Sequence, residues 1–133
     1  MLGATMSYAV DMGKRLTEEE RGWRQLSEKQ FQDQVLALAR IQGWRCFHAN
    51  DSRKMVRRGN SYIPVGDNDA KGFPDCCMVH PLRGIVFLEL KKELGKTTPE
   101  QDEWLAALQQ AGVEARVVRP SDWDWIVTLL AGR

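Results

Sequence analysis

Three ionisable side chains lie close to expected strand ends, and their chemical types suit the hydrolysis of a phosphodiester. Glu89 and Lys91 come at the end of the apolar run "GIVFLELKK", and Asp75 directly precedes "CCMVH". Neighbouring carboxylates raise each other's pKa unless a cation lies between them. Mg²⁺ and Mn²⁺ suit such a place, because these hard ions take carboxylate oxygens and keep waters that can meet a phosphate. The sequence therefore predicts a metal-assisted phosphodiesterase, in which Lys91 holds or activates the attacking water or stabilises charge developing on phosphorus.

Strand geometry predicts that these three side chains converge. Side chains alternate along a strand, so Glu89 and Lys91 point to the same face. With a turn at residues 81–84, counting outward along a hairpin places Asp75 opposite Leu90 and beside both of them. The alternative is a surface ion pair on an edge strand. The continuous apolar run before Glu89 favours a central, buried strand instead.

Around this hairpin the chain has the pattern of alternating helices and strands. A Ser or Thr followed three residues later by Glu or Gln predicts three helix starts, at Thr17–Glu20, Ser27–Gln30 and Thr98–Gln101. Ser121 with Asp124 predicts the cap of a last helix that runs to Leu130. The other expected elements are helices at 17–26, 28–42 and 99–111, and strands at 44–49, 75–80, 85–92 and 113–118. This order predicts an α/β fold with a four-stranded mixed sheet flanked by helices, its last strand joined by a right-handed parallel crossover.

The segment between the first strand and the hairpin is expected to be a long polar loop at residues 50–71. Such a loop is longer than compact domains normally tolerate without a functional reason. Residues 40–92 carry ten Lys and Arg against five Asp and Glu, although the whole chain has a net charge of only +1. A solvated surface would also explain these charges, but their place ahead of the hairpin favours contacts with nucleic-acid phosphates. The residues predicted to make them are Arg53, Lys54, Arg57, Arg58 and Lys71, and Gly72 is expected to let the backbone approach the metal or DNA closely.

Length and composition favour a small intracellular protein. With 133 residues and 43% hydrophobic composition, the chain can form one compact core, so we expect a flexible arm at 1–16 and a single domain at 17–133. No run reaches the roughly 18 apolar residues that cross a bilayer, and the first residues lack the basic-then-apolar order of a signal peptide. The chain has three cysteines, and an odd number makes a poor disulfide framework. We therefore expect a soluble, cytoplasmic protein with reduced thiols.

The cysteines and histidines offer a competing interpretation, a structural zinc site. The possible ligands are Cys46, His48, Cys76, Cys77 and His80. Their spacings match no common zinc module, and strand alternation points the adjacent cysteines to opposite faces. We therefore expect no zinc, and thiols that fill a core.

Several segments, taken in order, form a longer pattern. They are Glu28 at a helix start, "GWRCFH" (43–48), the basic run at 53–58, "KGFPD" (71–75), "ELKKELGKTTPEQDEWLAALQQAG" (89–112) and "VVRP" (117–120). Pro74-Asp75 with Glu89-Leu90-Lys91 resembles the signature of the PD-(D/E)XK nuclease superfamily, and the whole series resembles its VRR-NUC branch. A short PD or ExK recurs by chance, whereas the ordered series is specific.

The resemblance implies a restriction-endonuclease-like sandwich and an endonuclease that depends on Mg²⁺ or Mn²⁺. It implies that Asp75, Glu89, Glu28 and the backbone carbonyl of Leu90 bind the metal, and that Gln101 lies near the active site. Glu28 and Gln101 also have simpler explanations. Glu28 could serve only to complement its helix dipole, and the capping box accounts for Gln101 without chemistry. For Glu28, a position on the predicted buried stripe of its helix favours the metal.

The resemblance also implies the substrate and the assembly. Standalone members of this branch act as homodimers on branched DNA, in the manner of Holliday-junction resolvases in recombination and DNA repair. It implies no membrane partner and no nucleotide cofactor. The alternative is a nucleic-acid-binding module or accessory subunit that does not cleave. The complete set of Asp75, Glu89 and Lys91 favours the nuclease, because a binding protein has no need for an uncompensated carboxylate pair.

Overall fold

Helices and strands follow one another in the order expected for an α/β protein. The computed structural model describes residues 15–48, 54–65 and 70–132, with the backbone alone at 54–58 and 61–65. Residues 1–14 of the predicted arm thus lie outside the described residues. The helices are α1 (Glu18–Gln25), α2 (Glu28–Ile41), α3 (Pro99–Gln110) and α4 (Trp123–Leu130), and the strands are β1 (Arg45–His48), β2 (Lys54–Arg58), β3 (Ser61–Val65), β4 (Cys76–His80), β5 (Gly84–Leu90) and β6 (Glu114–Val118). In the described part of the chain, each helix is too short or too polar to traverse a lipid bilayer.

The three predicted capping boxes form, and they fix where α1, α2 and α3 begin. At the start of α2, the Ser27 hydroxyl accepts a hydrogen bond from the Gln30 N–H at 3.0 Å, and the Gln30 side chain accepts one from the Ser27 N–H at 2.9 Å. These reciprocal bonds satisfy backbone donors that a helix start otherwise leaves without partners. The first turns that carry Glu28 and Gln101 are therefore held by local interactions.

The predicted cap of the last helix is wrong. A 3₁₀ turn at Pro120–Asp122 precedes α4, and neither Ser121 nor Asp122 caps the helix through its side chain. The Asp122 carboxylate instead accepts a hydrogen bond from the Arg119 N–H at 2.8 Å. The Ser121 N–H donates to the Glu93 carboxylate at 3.1 Å, a contact across 28 residues of sequence. A distant side chain thus replaces the expected local cap.

The four-stranded mixed sheet is confirmed. Its strand order is β1-β4-β5-β6, and β4 pairs antiparallel with both β1 and β5. The last pair, β5 with β6, is parallel as predicted. Strand β5, which carries Glu89, is therefore a central strand, paired on both sides.

The predicted register of the hairpin is wrong by one residue. His80 pairs with Gly84, so the connection consists of residues 81–83 rather than 81–84. Gly84 adopts a φ of 91°, a left-handed conformation that only glycine takes without strain, and this lets the strand begin one residue earlier. Continued outward, the observed register places Asp75 opposite Glu89 instead of Leu90, and residues opposite one another share a face of the sheet.

Helices cover both faces of the sheet. Val86, Leu88 and Leu90 of β5 are buried in one core with residues of α2 and α4, and Phe87 faces the side of α3. On that side, the ring of Phe73 makes edge contacts with Phe87 at 5.8 Å and with Trp104 of α3 at 5.1 Å between centroids. The core on the α2 side consists of Phe31, Val35, Leu36, Ala39, Trp44, Cys76, Met78, Val86, Leu88, Leu90, Val118, Ile126 and Leu130.

The prediction of a structureless loop at 50–71 is wrong, because β2 and β3 form an antiparallel hairpin within it. Gly59 and Asn60 connect the strands, and Gly59 has a φ of 63°, as the first position of a two-residue hairpin loop requires. Of the predicted DNA contacts, Arg53 lies outside the described residues, whereas Lys54, Arg57 and Arg58 lie on β2.

Candidate active site

One end of the sheet brings together the side chains that are predicted to be catalytic or to bind metal. Strand β4 runs opposite to β1 and β5, so it begins where they end. Strand β6 is parallel to β5 and ends there too. Asp75 comes just before β4, and Glu89 is the second-last residue of β5. We call this the carboxylate end of the sheet, and the opposite end, with residues 81–83, the turn end.

Glu89 is a buried carboxylate that lacks a full set of partners. Its side chain is 1% exposed. Oε1 accepts a hydrogen bond from Nε2 of Gln101 at 2.8 Å and lies 3.6 Å from Nζ of Lys91. Oε2 is buried and has no hydrogen-bond partner among the described residues. Because a buried carboxylate oxygen without a partner is costly, Glu89 is prepared for a group that the described residues do not supply.

Asp75 joins the two central strands at the same place. Its Oδ2 accepts a hydrogen bond from the backbone N–H of Leu90 at 3.1 Å. This bond ties the start of β4 to the end of β5 and sets Asp75 beside Glu89. The backbone carbonyl of Leu90 remains a predicted ligand.

Glu28 completes a group of three carboxylates. One oxygen each from Glu28, Asp75 and Glu89 lie within 4.8 Å of one another. Burial, followed by the nearby negative charge of Asp75, raises the pKa of Glu89 to about 8, while Lys91 acts in the opposite direction. Oxygen-only ligands, a buried oxygen without a partner and an excess of negative charge suit a hard divalent cation such as Mg²⁺ or Mn²⁺.

Lys91 provides a positive charge close to Glu89. Its side chain is 15% exposed, so the ammonium lies close to Glu89 but can still reach solvent. Its backbone N–H donates to the carbonyl of Val118 at 3.0 Å, which extends the pairing of β5 with β6 by one residue. The lysine is thereby held on the same side as the carboxylates.

The Gln101 side chain caps α3 and contacts Glu89 at the same time. Its side-chain oxygen accepts the Thr98 N–H at 2.9 Å, which closes the capping box of α3. Its amide nitrogen donates to Glu89 at 2.8 Å. An amide has one acceptor end and one donor end, so a backbone N–H on one side and a carboxylate on the other fix its orientation. The cap therefore positions the side chain that holds Glu89.

Lys71 and Gly72 lie beside the first turn of α3. Nζ of Lys71 is 3.4 Å from Oε1 of Glu100, in an exposed ion pair. Gly72 has a φ of 85°, and a Cβ there would lie 2.5 Å from the Glu100 carbonyl carbon and 2.7 Å from the Gln101 nitrogen. The close approach seen at Gly72 is thus to the helix that carries Gln101, a partner that the sequence did not suggest.

The residues considered as possible zinc ligands have other surroundings. Cys76 is buried in the core, and burial raises the pKa of its thiol to about 12. The His80 ring packs 5.3 Å from that of Trp44, and its Nδ1 accepts the Leu82 N–H at 3.1 Å. Among the described residues, the side chains that lie close enough together to hold a metal ion are those of Glu28, Asp75 and Glu89.

A contact between two polar residues near this end was not predicted from the sequence, in which His48 was considered only as a zinc ligand and Gln32 not at all. Gln32 in α2 contacts the ring of His48 at the end of β1, through their Nε2 atoms. Gln32 follows Glu28 by four residues, and side chains at that spacing share one face of a helix. This spacing was the signal that could have identified it.

Comparison with known proteins supports a nuclease. No curated protein and no solved structure shows significant similarity to the chain. The family model of the VRR-NUC domain, however, matches residues 11–122, a span that includes every carboxylate, lysine and glutamine described above. The chain therefore belongs to the VRR-NUC family, whose domains are of the nuclease type and have DNA as their substrate.

Proposed function

We propose that the protein is an endonuclease that hydrolyses DNA phosphodiesters with Mg²⁺ or Mn²⁺. The observation that carries this proposal is the convergence of the Glu28, Asp75 and Glu89 carboxylates next to Lys91, together with a buried Glu89 Oε2 that has no hydrogen-bond partner among the described residues. Carboxylates that served only packing would be expected to find their partners within the chain. The non-cleaving alternative does not account for this arrangement.

The metal-binding residues proposed are Glu28, Asp75, Glu89 and the backbone carbonyl of Leu90. When bound, the ion supplies positive charge that polarises the scissile phosphate and lowers the pKa of a water. Glu89 is the residue most in need of it, because its Oε2 has no other partner in the described chain.

Lys91 and Gln101 act on either side of Glu89 in this proposal. The Lys91 ammonium orients the attacking water or stabilises the negative charge that develops on the phosphate. Gln101 holds Oε1 of Glu89 through its amide nitrogen at 2.8 Å. With that oxygen held, the other oxygen of Glu89 has a defined direction, as preorganised catalysis requires.

DNA would be held by the basic residues that precede the site along the chain. The proposed phosphate contacts are Arg53, Lys54, Arg57, Arg58 and Lys71, with Gly72 next to them. A basic hairpin, β2–β3, is a form in which such contacts can be presented together, and side chains that meet phosphates add affinity without sequence preference. We further propose that residues 17–133 form one nuclease domain, that 1–16 are an arm, and that the protein works in the cytoplasm.

For the substrate, we propose branched DNA cut by a homodimer, as in Holliday-junction resolvases. Two symmetric cuts need two active sites, which a twofold dimer provides. One face of the sheet beside β1 has exposed apolar side chains, Phe47 at 63%, Val79 at 43% and Ile85 at 39%, and such a patch suits a self-complementary contact. Light scattering should give twice the mass of one chain for the wild type and a monomer for Phe47→Glu. A wild-type monomer at working concentration would contradict the dimer.

Cleavage itself is tested on a panel of labelled DNAs. The protein is incubated with a four-way junction, a flap, a single strand and a linear duplex, in Mg²⁺, in Mn²⁺ and in EDTA. We expect cleavage only with metal, fastest on a branched DNA, and none by Asp75→Asn. Asp33→Asn, an exposed matched control paired with Lys29, should cut normally. Folded wild-type protein that binds these DNAs but nicks none would establish the binding module instead.

A further inference from the structure

The pair formed by Gln32 and His48 lies at the carboxylate end but has no place in the proposed chemistry. Gln32 is one helical turn from Glu28 on α2, and its amide nitrogen donates to Nε2 of the His48 ring. Burial raises the pKa of the Cys76 thiol, and a hydrogen bond from the Gln32 side chain acts in the opposite direction, so Gln32 faces Cys76 as well. Gln32, which follows Glu28 by one turn on the same face of α2, thus packs against both β1 and β4.

This contact selects one form of the His48 ring. An imidazole that accepts a hydrogen bond at Nε2 is neutral and carries its proton at Nδ1. Nδ1–H of His48 has no hydrogen-bond partner within 15–48, 54–65 and 70–132, and the side chain is half-buried rather than fully enclosed. Gln32 therefore leaves a fixed, unused N–H donor at the end of β1.

The register shows how far this donor is from the carboxylates. His48 pairs with Cys76, the residue after Asp75, and Cys76 pairs with Leu88, the residue before Glu89. Two strand spacings separate β1 from β5, which puts the His48 backbone about 10 Å from that of Leu88. At that distance the ring is too far away to touch the phosphate bound by Glu89. A neighbouring phosphate of the same strand is within its range.

We propose that His48 binds DNA, donating a hydrogen bond from Nδ1 to a phosphate next to the one that is cut, and that Gln32 is the positioning residue that fixes its tautomer. The inference rests on the proposed function, since it assigns one more contact to the same substrate. Phosphate contacts of this kind set the position of the strand and carry no sequence information. His48 would thus align the strand over the carboxylates.

Four variants separate this role from a packing role. His48→Asn places an amide N–H near the position of Nδ1, whereas His48→Gln places its amide near Nε2, where it meets Gln32. His48→Ala removes both, and Gln32→Ala leaves the ring free to choose either tautomer. If the ring acts only through its contact with Gln32, then His48→Gln is the better replacement; if it acts through DNA, His48→Asn is the better one.

The measurements are DNA affinity in EDTA, KM and kcat in Mg²⁺ on a four-way junction and a linear duplex, and Mn²⁺ affinity by calorimetry. We expect His48→Ala and His48→Gln to raise Kd and KM about 10-fold, the effect of one hydrogen bond to a charged group. His48→Asn should stay within about threefold and Gln32→Ala should fall between. In each variant kcat, Mn²⁺ affinity and the melting temperature should stay near the wild-type values.

The inference would be overturned if all four variants bound DNA with the same affinity as the wild type. It would also be overturned if His48→Gln bound DNA more tightly than His48→Asn. A parallel loss of Mn²⁺ affinity would also overturn it, because the pair would then support the carboxylates and not the DNA. Failure of the proposed function has a different signature, namely folded wild-type protein that cuts neither DNA. The affinities in EDTA still test His48 in that case.

Discussion

The two ends of the sheet treat charge in opposite ways. At the turn end, Nη1 of Arg83 donates to the carbonyl of Leu130 at 2.7 Å and to that of Gln42 at 3.3 Å. Leu130 is the last residue of α4 and Gln42 caps α2, so this cation satisfies carbonyls that helix ends leave free. At the carboxylate end, three carboxylates converge and one buried oxygen of Glu89 finds no partner in the described chain.

The difference distinguishes charges that serve the fold from charges that serve a ligand. Arg83 completes helix ends with groups already in the chain, so nothing further is needed there. Once ionised, Glu89 costs folding free energy until a further cation compensates its charge. Proteins retain buried polar groups without partners mainly at functional sites, where the usual rule that such groups are hydrogen-bonded does not hold.

The largest effect is expected from removing the Lys91 ammonium, which lies beside Glu89. Lys91→Ala should lower the single-turnover cleavage rate by about 10³-fold, the size seen when one charge-stabilising group is lost. Fold and DNA affinity should be unchanged by circular dichroism and by a binding titration. Lys92→Ala, the same change at the next, exposed residue, is the control. A Lys91→Ala enzyme that cuts at the wild-type rate would show that the site has been misassigned.

The second prediction concerns pH. The pKa of Glu89 is raised from 4.5 in the unfolded chain to about 8 in the folded protein, so the folded state keeps a proton that the unfolded state loses. In EDTA, the free energy of unfolding should therefore fall as pH rises from about 4.5 to 8, by a few kcal/mol at most. Glu89→Gln should remove this fall, and Mg²⁺ should reduce it by binding the charged carboxylates.

Urea unfolding at several pH values measures that slope. Glu103→Gln, at an exposed position of α3, should leave it unchanged. If wild type and Glu89→Gln have the same pH dependence, Glu89 carries its charge without penalty and the contrast between the two ends disappears.

A third test uses two glycines with similar backbones and different neighbours. Gly72 has a φ of 85° and Gly112 one of 89°, but only the Cβ of Gly72→Ala would collide with the backbone of Glu100 and Gln101. Gly112→Ala should cost about 1–2 kcal/mol of unfolding free energy from the left-handed conformation alone. Gly72→Ala should cost about 1–3 kcal/mol more and also slow cleavage, because α3 moves with Gln101. Equal losses in stability and unchanged cleavage would show that Gly72 has no part in positioning Gln101.

The smallest effect is expected at the turn end. Arg83→Ala should lower the free energy of unfolding by about 1.5 kcal/mol, because hydrogen bonds from a charged donor to helix-end carbonyls are lost. Cleavage per folded molecule should be unchanged. Arg21→Ala, an exposed arginine on α1, gives the baseline for losing a surface charge. Slower cleavage by folded Arg83→Ala would mean that the two ends are coupled.

The sequence was most informative where one residue acts on another within a turn. The capping boxes of Thr17, Ser27 and Thr98 formed as predicted because each needs only residues i and i+3. Strand alternation, a rule of equally short range, accounts for the shared burial of Val86, Leu88 and Leu90. Gly59-Asn60 is an equally local turn signal for β2 and β3, and the prediction of a loop missed it.

Predictions that depended on distant partners were less reliable. The Ser121 cap failed because Pro120–Asp122 form a 3₁₀ turn, so that Asp122 and not Ser121 precedes α4, while the Ser121 N–H donates to the distant Glu93 carboxylate. The hairpin register shifted by one because Gly84 joined β5, and one glycine's backbone conformation decides such a count. The roles of Gly72 and Gln101 were similarly incomplete, since the packing of α3 against the sheet is not visible in a spacing.

By itself, the sequence determined the starts of α1, α2 and α3, the mixed sheet and the placing of Glu89 and Lys91 at the end of a buried strand. These follow from hydrogen bonds and side-chain periods that act over a few residues. Only the tertiary structure decided that Glu28 meets Asp75 and Glu89, that Gln101 links a helix cap to the site, and that Gln32 fixes the ring of His48. Those contacts depend on how α2 and α3 pack on the sheet, which is set by burial across the whole core and not by any local pattern.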